Sequence, residues 1–417
     1  MNTKYIHIGK STILWEKTSF SRAFKFLKNN SLSRAELSDD NGNVKNIHYG
    51  DILIKFSECL YADEGNSIPY IINDNIAYKL LKLSPLINGD IVFADAAEDN
   101  TVGKCIEIIT HNDTDLVAGL HTIPCRPTIK FAEGYLGYYL NSSAFHNQLL
   151  QYIQGTKISS ISKKSICQTI ISYPSEIINQ QKIASYFQSL DSLIQSTSKK
   201  LVSLKQIKAA SLQSMFPQEG ETVPKVRFKG FEGEWEEKSF SALYKKSIIK
   251  NDLTFGTDKI ISVANMYYLT NVNVSDLEYL KTYNIMKLGD IAFEGNKSKR
   301  FLHGRFVENT IGDGIASHVF VVFHPISAEH DINYWKYAIN NENIMRNVLI
   351  RCTKSSTMMT DLVVDDFLKE TILVPSYAEQ QKIGAYFRNL DQQISLQTQR
   401  LEKLKQIKAT CLDKMFV

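Results

Sequence analysis

Ile183, Phe187, Leu190, Ile194, Leu201 and Leu204 fall at alternating steps of four and three residues, with Thr197 in the one polar slot. Ile383, Phe387, Leu390, Ile394, Leu401 and Leu404 repeat the series, with Gln397 in that slot. An apolar period of 3.5 residues held over several turns predicts a long helix with a coiled-coil seam. After Leu204 and Leu404 the seam is expected to weaken. Lys208 and Lys408 take the next core slot, and Ile207 and Leu212 move the apolar stripe sideways. Pro375-Ser376 followed by Glu379 reads as an S-x-x-E capping box at the start of the second helix. Pro174-Ser175 opens the first helix without the matching Glu, and Pro217 with Gly220 stops it.

The two helices are copies. Residues 180–216 slide onto 380–416 without a gap, and 19 of the 37 positions are identical. The segments before them echo each other too. Asn88–Phe93 (NGDIVF) and Leu288–Phe293 (LGDIAF) predict a Gly-Asp turn feeding an alternating apolar strand. Trp15–Phe20 (WEKTSF) resembles Trp235–Phe240 (WEEKSF), and Gly137–Ser143 resembles Lys336–Glu342 as a helix end. Thr156–Ser162 (TKISSIS) and Thr353–Met359 (TKSSTMM) read as matched loops. Glu107–Leu120 has no readable counterpart near residue 310.

The expected fold is therefore α/β (α+β in class): two domains separated by two long antiparallel coiled-coil helices, with an internal pseudo-two-fold repeat. The boundaries are 1–173 for the first domain, 174–216 for the first long helix, 217–230 for a linker, 231–374 for the second domain and 375–417 for the second long helix. A helix of that length spans roughly 60 Å at about 1.5 Å per residue. Two independent helices, each laid on its own domain, are the other arrangement this pattern allows; the length of the seam favours pairing.

Composition narrows the function. The 417 residues are too many for one ordinary core. No apolar run is long enough to span a membrane, and the start lacks the apolar core of a signal peptide. Six cysteines form no CxxC pair, which fits thiols in a reducing cytoplasm. Net charge is +4, each long helix segment carries +4, and the remainder is therefore −4. That balance counts against domains that are basic throughout.

Basic clusters are nonetheless present. Lys157, Lys163 and Lys164 sit among hydroxyls in one domain; Asn296, Lys297, Lys299, Arg300 and Arg305 cluster in the other, with Lys354 in its Thr-Lys loop. Such side chains neutralise phosphates or reach base edges, and two unlike domains on one spacer suit a repeating ligand such as duplex DNA. Catalytic patterns are missing. Thr101–Cys105 (TVGKC) lacks the outer residues of a phosphate-binding loop, and Glu236-Glu237-Lys238 lacks the acidic partner of a nuclease motif. No metal-ligating spacing is present, so the chain is read as non-catalytic.

The doubled QQKI(A/G)xYFxxLD…LxxLKQIKAxxLxxMF helix resembles the specificity subunit of type I restriction-modification enzymes, as does Val223–Phe240 (VPKVRFKGFEGEWEEKSF). The resemblance covers the chain in the order recognition domain, helix, recognition domain, helix. It implies a DNA-binding, cytoplasmic subunit in which each target-recognition domain reads one half of a split, asymmetric sequence in double-stranded DNA. It implies two methylation (M) subunits and restriction/translocation (R) subunits as partners. S-adenosylmethionine, ATP and Mg are then expected on those partners, with no cofactor on this chain. Lys182, Tyr186, Lys382 and Tyr386 fall in the helix stretches that the resemblance assigns to subunit contact. The first half departs from the pattern: it starts almost at Trp15, and extra residues surround Gly50-Asp51. A protein-binding adaptor with no DNA role is the alternative, motivated by the −4 balance outside the helices.

Overall fold

The structure is a computed structural model that describes residues 4–8, 11–63, 68–112, 114–155, 158–270, 272, 276–299, 301–355 and 359–416. The chain divides into two compact units. Unit one comprises 1–197 with 400–417, and unit two comprises 198–399. The division falls inside each long helix, Ile177–Ser214 and Tyr377–Lys414, so each unit holds part of both.

Each unit is built on the same four antiparallel strands, to which unit one adds a fifth, parallel one. In unit one the strand order is Phe24–Phe26, Thr122–Pro127, Ile91–Ala94, Cys105–Ile109 and Cys59–Tyr61; the last pairing is parallel and the others antiparallel. In unit two the order is Tyr244–Lys246, Val321–Pro325, Ile291–Glu294 and Arg305–Glu308, all antiparallel. In the two strands expected to alternate, neither face is open to water. All four residues of Ile91–Ala94 and of Ile291–Glu294 are buried. Each sheet is covered on both faces, so the alternation sorts residues between two cores rather than between core and water. Ile91 and Phe93 join one apolar cluster, Val92 and Ala94 another; Ile291 and Phe293 divide from Ala292 in the same way.

The counterpart that the sequence hides lies beside these strands. Glu107 is the register partner of Ile91, and Glu308 that of Ile291. Both carboxyl groups are buried, and burial pushes both pKa values up, Glu107 to about 7. Glu107 accepts hydrogen bonds from the Gly134 and Gly137 amides, each at 2.7 Å, at the start of helix Tyr135–Leu140. Glu308 instead meets His330 Nε2 at 3.0 Å, and burial lowers the His330 pKa to about 4. Two acids in one place with different partners leave no shared local sequence to recognise.

The Gly-Asp turns explain themselves. Gly89 and Gly289 have φ of +81° and +86°, where a side chain is strained. Asp90 Oδ2 accepts from the Ile87 amide at 2.9 Å, and Asp290 Oδ2 from the Lys287 amide at 2.6 Å. Asp90 is held by Arg126 through two bonds of 2.7 Å, and Asp290 by His324 at 2.6 Å. A Cβ built on Gly89 meets nothing within 4 Å. Gly89→Ala should therefore cost about 1–2 kcal/mol through backbone strain alone, read as a fall in the urea midpoint with unchanged slope. Gly89→Asn should cost less, because Asn tolerates the left-handed region.

Within each unit the two long helices run antiparallel. In unit one Tyr186 Oη lies 3.5 Å from Cys411 Sγ, and Lys408 Nζ lies 2.6 Å from Asp191 and 2.5 Å from Glu58. In unit two Ser211 Oγ lies 2.9 Å from Tyr386 Oη, and Lys208 Nζ lies 2.5 Å from Asp391. These are the same contacts transposed by 200 residues. Lys208 and Lys408 thus keep the core slot and continue the seam. The ammonium is half-buried against an aspartate of the facing helix, so the expected weakening is corrected to a half-buried ion pair. The tyrosine hydroxyls of Tyr138 and Tyr337 complete the two sites by donating to Asp191 and Asp391.

The apolar seam is buried at Ile183, Phe187, Leu190, Leu201 and Leu204, and at Ile383, Phe387, Leu390 and Leu401; Ile194, Ile394 and Leu404 are half-buried. The polar slot at Thr197 is buried too. The capping box is only half formed. Ser376 Oγ accepts from the Glu379 amide at 3.4 Å, but the Glu379 carboxylate takes two 2.7 Å bonds from Arg227. A guanidinium offers that carboxylate stronger, bidentate bonds than a single amide does. Arg227 and Phe228 thereby fasten part of 217–230 to unit two.

Candidate nucleic-acid interface

The Gly-Asp turn stands at one end of each central strand. Chain segments rich in amides, hydroxyls and lysines gather at the other. In unit one the strand Ile91–Ala94 leads through Asp95 to Ala96-Ala97, which pairs with Ser159-Ser160; the Ile161 amide donates to the Asp95 carbonyl at 2.9 Å. In unit two Asn296 bridges to Met359, and the Thr360 amide donates to the Gly295 carbonyl at 2.8 Å. The two Thr-Lys loops therefore dock at equivalent places on equivalent strands.

The lysines predicted from sequence fall partly on this end. In unit two Asn296, Lys297, Lys299 and Lys354 are exposed, and Lys297 Nζ donates to Ser355 Oγ at 2.6 Å. That bond and the Asn296–Met359 bridge join the two hairpins, so residues almost sixty positions apart share one rim. Lys354 stands opposite Asp361 in its hairpin, which offsets part of its charge. Arg305 behaves differently. Its guanidinium lies 2.6 Å from Glu294 and 2.7 Å from the Ala264 carbonyl, and stacks 4.9 Å from the Phe301 ring. It fastens the hairpin instead of standing free on the rim.

In unit one Lys163 and Lys164 are exposed on the short helix Lys163–Cys167. Lys163 Nζ is 3.5 Å from the Leu27 carbonyl and 5.6 Å from the centre of the Phe26 ring. Lys157 and Arg300 lie outside the described residues. On the long helices, Lys182 and Lys382 are exposed, Tyr186 is 43% exposed and Tyr386 is half-buried. Both tyrosine hydroxyls already contact the facing helix, through Cys411 and Ser211.

Two sequence features prove structural. Lys104 of the TVGKC stretch donates to the Leu53 and Phe56 carbonyls at 3.1 and 3.0 Å, closing the end of helix Tyr49–Ile54. Glu236 and Lys238 pair with each other at 3.1 Å on an outer strand. Among the described residues no group of three or more His, Cys, Asp or Glu is placed to hold a metal ion, and no helix is long and apolar enough to cross a membrane.

The model of the type I restriction modification DNA specificity domain matches this chain twice, over residues 24–206 and 233–406. The chain belongs to the type I restriction-modification DNA specificity family. Each matched stretch contains one central sheet and most of one long helix, so the family's repeating module is the sheet with its helix. Three solved structures are similar to this specificity chain. The S subunit of a type I restriction-modification system from M. genitalium matches at 12% identity and a TM-score of 0.58, covering 99% of this chain and 98% of that one. A structure described for complex assembly and conformational transition of the type I system matches at 13% identity and 0.51, covering 96% and 97%. The HsdS subunit from Thermoanaerobacter tengcongensis matches at 15% identity and 0.48, covering 96% of each. Among curated proteins nothing matches.

In a specificity chain the end of the sheet with the docked Thr-Lys loops is the candidate DNA face. Sequence reasoning missed two groups there. Lys28 and Asn29 follow the strand Phe24–Phe26, and His121 precedes the strand Thr122–Pro127. The only signal for the first was a Lys-Asn-Asn-Ser run after an apolar strand; a single histidine gave none.

Proposed function

We propose that this chain is the DNA-recognition subunit of a type I restriction-modification complex. It reads a bipartite, asymmetric target in double-stranded DNA, one half with each domain, and directs adenine methylation or restriction by partner subunits. The observation that carries this reading is a repeated frame with unlike faces. The central sheets, Gly-Asp turns and helix contacts repeat, whereas the exposed rim is Asn296, Lys297, Lys299 and Lys354 in one unit and Ser160 with Lys163 and Lys164 in the other. A common scaffold with different reading surfaces suits two different half-sites.

In this reading the helix pair is the spacer that sets the unspecified gap between the halves. Two M subunits and the R subunits supply the chemistry, with S-adenosylmethionine, ATP and Mg bound on them and none on this chain. The exposed Lys182 and Lys382, with Tyr186 and Tyr386, are the proposed points of subunit contact. Lys157, Lys163, Lys164, Lys299, Arg300 and Lys354 are proposed for phosphate contact.

Footprinting of the assembled methyltransferase should protect two short blocks separated by a fixed gap; one continuous block would contradict the bipartite reading. One heptad inserted in each helix, after Ser198 and after Thr398, adds about 10 Å of helix. The gap should then lengthen by about three base pairs at 3.4 Å each, with both half-sequences unchanged. Affinity for duplex DNA should fall steeply with salt, whereas an adaptor without a DNA role would be indifferent to it.

A further inference from the structure

Unit one carries an open groove of about 470 Å³ at the end of its sheet, lined by Asn29, Asn30, Ser31, Leu80, Asp95 and His121 among others. Its floor is fixed. Asn30 donates to Asn46 Oδ1 at 2.7 Å and to the Ala118 carbonyl at 2.9 Å, and Leu32 is buried in a small apolar cluster. These anchors hold the segment 27–32 at two points and leave Lys28, Asn29 and Ser31 exposed. The Asn29 amide makes one long contact, 3.4 Å to the Gly119 carbonyl, at the limit of a hydrogen bond.

His121 is held with unusual care for an exposed residue. Its φ is +54°, a conformation that costs energy for any side chain and gathers at functional positions. Nδ1 lies 3.1 Å from Asp95 Oδ1, the Tyr49 ring meets the imidazole edge-on at 5.2 Å, and the side chain is still 51% exposed. No described residue hydrogen-bonds Nε2. A ring oriented through one nitrogen, with the other left over, is positioned for a ligand. Lys28 stands beside the groove, and Lys163 reaches the same segment at Leu27.

We infer that this groove is where the first domain reads base edges of double-stranded DNA, with Asn29 and His121 as the reading side chains and Lys28 and Lys163 on the flanking phosphates. An Asn amide offers a donor and an acceptor side by side, the pattern that matches the major-groove edge of adenine, and the apolar wall at Leu80 and Leu120 suits a thymine methyl. The inference rests on the DNA-recognition reading above and adds which surface reads and with what chemistry. It also accounts for the weak basic rim of unit one: sequence is read there by amide and imidazole, with few cations.

The test uses the whole chain assembled with its methylation partners in a cell, with the methylated motif mapped for wild type, Asn29→Ala and His121→Ala. Both variants should relax one or more positions in the same half of the motif, with discrimination falling about tenfold or more, and leave the other half intact. If a variant abolishes methylation, binding of its purified complex is compared on the wild-type target and on a scrambled duplex. Lost preference with an unchanged unfolding temperature supports the groove; retained preference overturns it. An unchanged motif in both variants, or changes in different halves, also overturns it. A wild-type complex that yields no two-part motif defeats the underlying reading instead, so the two failures are distinguishable. Lys28→Ala should weaken binding to all sequences alike and lower the salt slope by about one.

Discussion

Phe416→Ala should destabilise unit one by about 3–5 kcal/mol, the usual cost of truncating a buried aromatic ring. Phe416 is two residues beyond the last helical turn yet only 6% exposed. Its ring stacks on Phe187 at 5.8 Å and meets Tyr135 and Tyr139 edge-on at 6.0 and 5.7 Å, inside the cluster that also holds Trp15 and Phe93. Phe216 occupies the matching place in unit two, stacked on Phe387 at 6.1 Å and Tyr334 at 5.8 Å. Native-state hydrogen exchange gives the readout. Protection of the Ile91–Ala94 strand should fall a hundredfold or more, by about tenfold per 1.4 kcal/mol. The Ile291–Glu294 strand serves as the internal control. Phe216→Ala should reverse the pattern. Equal losses in both strands would mean that the units do not unfold separately.

Lys408→Met should cost unit one about 3 kcal/mol near neutral pH, because it removes the ammonium that bridges Glu58 and Asp191. The side chains of Lys408, Glu58 and Asp191 are 15%, 15% and 24% exposed, so water screens the loss only weakly. Burial raises the Asp191 pKa, with the neighbouring Glu58 charge adding to it and Lys408 opposing it. Without Lys408 Asp191 gains a proton more readily, so the deficit should shrink as the pH is lowered from 7.5 to 5. A deficit independent of pH, read from urea midpoints, would contradict this account. Adding Asp191→Asn to Lys408→Met should recover about 1–2 kcal/mol.

In the parent chain the Lys408 pKa is raised above 10.5: burial works against the charge, but Glu58 and Asp191 outweigh it. The stability it contributes is therefore complete below about pH 10.5 and is lost as the pH rises through the folded value. Lys208→Met should be milder. Lys336 remains 3.5 Å from Asp391, and among the described residues no second carboxylate pairs with Lys208. Asp391 is accordingly lowered: burial pushes it up, but hydrogen bonds from Lys208 and Tyr337 outweigh that. Its contribution is present above about pH 3.8 and fades as the pH falls through the folded value.

The helices and the repeat were legible in sequence because a 3.5-residue period and a gapless duplication are local signals. The sign of Lys208 and Lys408 was not. A lysine in a core slot reads as a break in the seam until its carboxylate is located, and Asp191 and Asp391 lie in the other helix of each pair. The matching of Glu107 with Glu308 was invisible for a related reason: strand register is set by partners far along the chain, and the two acids have different neighbours. The strand after each Gly-Asp turn is legible in sequence, but the second core that covers its other face is not, because that core is assembled from residues far along the chain. At the candidate DNA face, clusters of charge were found and single residues were not. Asn29 and His121 are proposed from an exposed segment, a positive φ and a carboxylate contact, none of which leaves a pattern in the chain. Arg305 carried the expected charge but is committed to Glu294.

Unit one is made from residues 1–197 together with 400–417, so Trp15 and Phe416 sit in one core although about four hundred residues separate them along the chain. During synthesis residues 1–197 leave the ribosome early but cannot close around Phe416 until that residue has been made. It must wait, partly open, while some two hundred further residues are made, and a nascent chain in that condition exposes the apolar faces of Phe187, Tyr135 and Tyr139 to chaperones and to neighbouring chains.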